Sequence, residues 1–244
     1  MQVVLLRVGI DSGDGGIQGP LFRDGSFELI PIPDRFRGRG ADERTYGNTK
    51  GRHGCPMIEY FPTRLWEKMR KQSMHVDPEF ETFTYGDPTR PKQGLRRLKK
   101  GDVLVFYAGL TGYDLNSDAA LYIIGYFVVE EAGHAKLLEK KLGARKLERL
   151  FRKNFHVRHR QVFKKQKRRL VLVKGGKGSR LVKKAVLISS VGRDKNGRPL
   201  KVVSPAMRRI FSDFRGHVSI QRSPPRWVEP AFVERAARFV QGLR

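Results

Sequence analysis

Between residues 136 and 184 the chain carries 20 basic side chains and only 2 acidic ones. A segment of that charge cannot be buried, and self-repulsion opposes its compaction unless anions lie near. Residues 1–135 carry 18 side chains of each sign and residues 185–244 carry 12 basic and 4 acidic, so the net charge of +26 begins at a sharp boundary. Glu139 and Glu148 cannot absorb twenty cations by local pairing. The asymmetry points to nucleic acid or an anionic membrane surface. Against the membrane, the longest apolar run, 119–129, contains Gly125 and falls well below the roughly 20 residues of a spanning helix. The first residues have no basic stretch leading into a long apolar one and a cleavage site. The expectation is a soluble, cytoplasmic chain with nucleic acid as partner and no membrane contact; its oligomeric state is not readable.

A chain of 244 residues, 39% hydrophobic, can bury a core, which excludes wholesale disorder. The single cysteine, Cys55, excludes an internal disulfide framework and a cysteine-rich zinc site. Few Asn and abundant Arg lean toward a thermophilic source.

Residues 3–7 read as a buried strand ended by Gly9, followed by a glycine-rich loop over 10–20. Residues 22–32 read as a hairpin about Asp24-Gly25. Residues 35–52 read as a long surface loop. Helices are expected over 63–73, over 135–153 with a break at Gly143, and over 231–243. The two best strands are 103–108 and 120–129; further strands are expected at 170–173 and 185–189, bracketing a Gly-Gly-Lys-Gly-Ser-Arg loop, and Asn196-Gly197 marks a turn. Strands flanked by a few helices without regular βαβ alternation predict an α+β fold: a curved sheet or small β-barrel core, flanking helices and a basic helical and hairpin extension. The chain divides into a neutral core portion (1–135), a basic helix and hairpin segment (136–184), and closing strands with a C-terminal helix (185–244), all in one compact domain.

The residues expected to hold phosphates are Arg158, Arg160, Lys164, Lys165, Lys167, Arg168, Arg169, Lys174, Lys177, Arg180, Lys183 and Lys184. Gly175 to Ser179 lacks the Gly-x4-Gly-Lys-Ser/Thr spacing of a nucleotide loop, and a basic hairpin touching the phosphate backbone is the better reading. His75 and Asp77, two apart, point to the same side of an extended segment, while His156 and His159, three apart, would be neighbours on a helical turn. These are groups for acid–base work or base recognition, with Arg158 and Arg160 expected to hold the His156–His159 pair's pKa down. For zinc they lack enough partners at recognisable spacing. No cofactor is assigned; Mg²⁺ is conceivable if Asp11 meets Asp77 or Glu28. All seven tyrosines lie in the neutral first half, where one or two could stack on a base.

Several motifs occur in order: Leu6-Arg-Val-Gly-Ile-Asp-Ser-Gly-Asp-Gly-Gly16, Asp24-Gly25, Pro31-Ile-Pro33, Thr45-Tyr-Gly47, His75-Val-Asp-Pro78 and Leu98-Lys-Lys-Gly-Asp-Val-Leu-Val-Phe-Tyr107. In these the chain resembles the third of the nucleotide-modification-associated domain families of bacterial, archaeal and phage genomes. Asn154-Phe-His-Val-Arg-His159 and 227–232 are similar to its later motifs. The resemblance implies a setting of modified nucleic-acid bases, inferred from genomic context, and supplies no catalytic residue. Separately, 101–107 followed by Leu121-Tyr-Ile-Ile-Gly125 is similar to barrels of the pseudouridine-synthase and archaeosine-transglycosylase type (PUA/EVE-like), whose relatives read modified bases in a pocket.

The leading expectation is a nucleic-acid-binding protein of base-modification systems. Its base pocket would comprise Asp11, Tyr46, His75, Asp77 and Tyr107, with His156 and His159 at the rim. A second reading is an enzyme acting on bases or nucleotides, with His75, Asp77 and Asp11 as candidate catalytic groups. A third is a structural RNA-associated protein without a pocket near Tyr107.

Overall fold

The computed structural model describes residues 1–10, 17–36, 43–221 and 224–244. Its centre is the antiparallel pair β6 (Val103–Gly112) and β7 (Ala120–His134). β6 is apolar without alternation, which suits a strand covered on both faces. β1 (Val3–Arg7) and β2 (Gly19–Leu21) lie parallel to the two halves of β6. The chain also forms β3 (Ile32–Pro33), β4 (Met74–His75), β5 (Thr84–Asp87), β8 (Val171–Gly175), β9 (Arg180–Leu187), β10 (Ser189–Arg193), β11 (Pro199–Val203) and β12 (Arg226–Trp227). The main sheet runs β12-β1-β6-β7-β8-β5, with β2 beside β6 and β9 beside β7.

The helices are α1 (Trp66–Arg70), α2 (Ala135–Leu142), α3 (Ala144–Leu150), α4 (Phe155–Arg158), α5 (Arg160–Gln166), α6 (Pro205–Phe211) and α7 (Val233–Gln241). Gly143, at φ 82°, separates α2 from α3, a backbone conformation that suits glycine. On one face of the sheet Val3, Leu5, Val105 and Tyr107 pack against Phe211 of α6 and Ala236 and Val240 of α7. On the other, Val4, Leu6, Leu104 and Phe106 pack with Leu95 and Leu98, at and just after the end of the 3-10 helix Arg90–Arg97. A third cluster gathers Ile10, Ile30, Tyr46, Phe61 and Met74. A fourth gathers Leu138, Leu147, Phe151, Val157 and Leu172 around α2, α3 and α4.

Two expectations are corrected. Among the described residues no pairing joins β12 to β5, so the mixed α+β fold has an open sheet and no closed barrel. The 3-10 helix Arg90–Arg97 packs on both β7 and β8, and Arg97 stacks over Trp227 of β12 at 5.0 Å, covering the face between the two edges. The basic hairpin is also absent. β8 and β9 both run antiparallel to β7 and follow one another along it, with Gly176 to Ser179 looped out between them. Gly178 at φ 94° permits the excursion, and Ser179 Oγ accepts from Val128 N at 3.0 Å, fastening the loop back to β7. The cationic segment thus supplies strands to the sheet itself.

Candidate active site

Two segments eighty residues apart meet beside the sheet. β4 pairs with β3 in the register Ile32↔His75, and Met74 is buried in the third cluster. Alternation along this extended stretch turns His75 away from Met74, and Asp77 follows to the side of His75. Facing them is α4, whose N-cap Asn154 accepts from His156 N at 3.1 Å. Val157 anchors α4 in the fourth cluster, and the buried Phe155 ring stacks on His75 at a centroid distance of 3.9 Å.

His75 Nε2 lies 3.1 Å from His156 Nε2, which lies 3.3 Å from Asp77 Oδ2; His75 Nε2 to Asp77 Oδ2 is 3.9 Å. Side-chain exposure falls from 15% at His75 to 5% at Asp77 and 2% at His156, so His75 forms the outer edge. The Gly86 N–H donates to both Asp77 oxygens, at 2.9 and 3.1 Å. His156 Nδ1 is 2.6 Å from Gln166 Oε1, which can only accept, so Nδ1 carries the proton. Each residue of the trio offers one ligand atom for a metal ion.

Burial is the largest influence on all three groups. It pushes the Asp77 carboxyl up to about 7, against the pull of His156 and the Gly86 N–H. It drives His75 well below the usual imidazole range, with His156 and His159 acting in the same direction. At His156 burial lowers, but contact with Asp77 and the Gln166 hydrogen bond outweigh it, and the net direction is upward. The expected depression by Arg158 and Arg160 is therefore not what governs His156, because a buried carboxylate lies closer.

His75, Asp77 and His156 come together; Tyr46 and Tyr107 do not join them. Tyr46 is fully buried in the third cluster, its hydroxyl donating to Pro31 O at 2.6 Å. Tyr107 is fully buried under α6 and α7 and donates to Ile220 O at 2.9 Å. Both are core residues with no face for a base. His159 sits between α4 and α5 rather than on a shared turn with His156, and stacks on Phe155 at 4.8 Å. Asp11 lies outside the described residues. Glu28 accepts from His53 N and lies 2.9 Å from His53 Nδ1; the expected meeting of Asp11 with Asp77 or Glu28 for Mg²⁺ falls outside the described residues.

Of the expected phosphate residues, Arg160, Lys164 and Lys165 are exposed on α5, Arg158 is exposed at the end of α4, and Arg168 and Arg169 are exposed beyond α5. Lys177 is exposed in the loop before β9, and Arg180, Lys183 and Lys184 are exposed on β9. Arg158, Arg160, Lys164 and Lys167 line a cleft of 570 Å³ beside Leu147 and Phe163. Some of the twelve are engaged internally: Lys167 pairs with Glu139, Lys174 Nζ donates to Thr82 O at 2.6 Å and Gly175 O at 2.8 Å, and Arg180 Nη1 donates to Leu243 O at 3.4 Å.

Gln166 and Gly86 were not legible as site residues. Gln166 is the one uncharged residue in Lys164-Lys-Gln-Lys-Arg-Arg169, a signal that it faces inward. Gly86 is required because a Cβ there would come within 2.8 Å of His156 Cδ2.

Among the described residues no helix is long and apolar enough to cross a membrane. No curated protein and no solved structure matches the chain. The sequence motifs nevertheless extend beyond local likeness, since the profile described as nucleotide modification associated domain 3 matches residues 2–241, and the chain belongs to that family.

Proposed function

We propose that the protein binds nucleic acid in base-modification systems and brings a base to the His75–Asp77–His156 cluster, where chemistry is done on it. Exposed cations of α5 and β9 hold the phosphates. The family is associated with nucleotide modification, which sets the substrate class. The observation that carries the reading is the convergence of three ionisable side chains, mutually in contact and mostly buried, from segments far apart in sequence. A buried group of this kind is costly to assemble and is typical of sites that move protons or hold reactive species. α5 connects the two tasks: Arg160, Lys164 and Lys165 face solvent while Gln166, on the same seven-residue helix, holds His156. Phosphate contacts supply affinity and position, and the cluster acts on what they deliver.

The test compares Asp77→Asn and His75→Ala with the wild type, measuring oligonucleotide binding and the nucleoside content of the treated nucleic acid by mass spectrometry. The expected result is salt-dependent phosphate binding kept and altered nucleosides lost. Binding lost alongside, or nucleosides altered as in the wild type, contradicts the assignment of chemistry to the cluster.

A further inference from the structure

We propose that His75 Nε2, Asp77 Oδ2 and His156 Nε2 together bind one divalent first-row transition-metal ion with coordination positions left open. The place of the ion follows from geometry; its purpose rests on the reading of this cluster as the site of base chemistry.

Donors held at about 2.0–2.1 Å from one ion at tetrahedral or octahedral angles lie roughly 2.8–3.4 Å from each other. Two of the three separations, 3.1 and 3.3 Å, fall in that range, and the third, 3.9 Å, needs a shift of about half an ångström. The lone pairs also converge. With the Nδ1 proton of His156 engaged by Gln166 Oε1, the Nε2 of the neutral ring presents a lone pair toward Asp77 Oδ2 and His75 Nε2. The contact between Asp77 Oδ2 and His156 Nε2 needs a proton or a cation between its two electron-rich atoms. A divalent ion bound by all three takes the place of that proton and meets the three ligand atoms at once.

The surroundings are those of a ligand shell. Metal-binding imidazoles commonly donate their second N–H to a carbonyl or carboxylate, which fixes tautomer and ring orientation; Gln166 does this for His156. The Gly86 N–H holds the Asp77 carboxylate, and the missing Cβ of Gly86 makes room for the His156 ring. Phe155 covers the face of His75. Two imidazoles and one carboxylate suit zinc, iron, cobalt or nickel better than Mg²⁺, which favours oxygen donors throughout. Three protein ligands leave room for water or a substrate atom, the arrangement of a reacting rather than a structural metal. Residue spacing could not show this set, because 75–77 and 156 are joined only by the fold.

The full chain is stripped with a chelator and titrated with Co²⁺ alone. The wild type is expected to take up one equivalent, develop visible d–d absorption and melt at a higher temperature. His75→Ala and His156→Ala should each weaken uptake by about a hundredfold or more, and Gln166→Leu, which removes only the orienting acceptor, by about ten- to a hundredfold. Circular dichroism confirms the fold of each variant. If His156→Ala fails to fold, His75→Ala, at the exposed edge, decides. No uptake by the wild type at millimolar Co²⁺, or uptake unchanged in a folded His75→Ala protein, overturns the proposal. Absent uptake with base-dependent nucleic-acid binding intact removes the metal and spares the functional reading. One equivalent bound with no base dependence keeps the metal and removes that reading.

Discussion

A methyl group at position 86 would meet His156 Cδ2 at 2.8 Å and Asn154 Oδ1 at 3.1 Å, and both belong to the short helix that carries the buried histidine. Gly86→Ala is therefore expected to displace the His156 ring while leaving the sheet in place. It should destabilise by about 1–3 kcal/mol in urea unfolding and weaken Co²⁺ uptake at least tenfold. Tyr107→Phe makes the opposite contrast. The tyrosine fills the core under α6 and α7 and its hydroxyl donates to Ile220 O, so the substitution should cost about 1–2 kcal/mol and leave nucleic-acid affinity unchanged. Reduced affinity in that variant would return Tyr107 to the pocket. Lys92 provides a pH signature away from the cluster. Burial lowers its pKa from 10.5 to about 8, partly offset by Asp87. Between those values the unfolded chain holds a proton the folded one has lost, so this residue's contribution to stability rises with pH across that window and is least favourable below pH 8. The advantage of Lys92→Met over the wild type, read from denaturant midpoints, should shrink as pH rises from 8 to 10.

The elements divide the cationic residues into two kinds. Lys164 and Lys165 project from α5 into solvent, and replacing both with Glu should weaken oligonucleotide binding and flatten its logarithmic salt dependence by about two. Lys174 spends its ammonium group on the carbonyls of Thr82 and Gly175, so Lys174→Met should lower stability and leave the salt slope as it was. Sequence distinguishes these poorly, since a lysine in a basic run looks the same whether or not its ammonium group ties β8 to the turn before β5. β1, β6 and β7 were legible because unbroken apolar runs identify strands buried on both faces, and the break at Gly143 was legible from glycine inside a helical pattern. The continuation of β8 into β9 was not, because glycines that let a strand loop out are the same glycines that turn a hairpin. Tyr107 was misplaced for a related reason: alternation puts it opposite Phe106, but only the fold shows that α6 and α7 cover that second face. His75 with Asp77 was readable from spacing; their meeting with His156, like the role of Gln166, depends on β4 and α4 being brought together.

Across the molecule, the +26 charge and the buried trio are linked parts of one device in this interpretation. The basic segment lays β8 and β9 along β7, supplies α5, and through Gln166 reaches the histidine that faces His75. Sugar-phosphate binding and base handling should therefore be separable by substitution, although the same stretch of chain serves both. The decisive measurement is the affinity of the wild type and of Asp77→Asn for a short single-stranded oligonucleotide and for its abasic counterpart, at several salt concentrations. The wild type should prefer the strand that carries bases, and Asp77→Asn should lose that preference while keeping the salt dependence. Equal affinity of the wild type for both strands, or a preference untouched by the substitution, would contradict base handling at His75, Asp77 and His156.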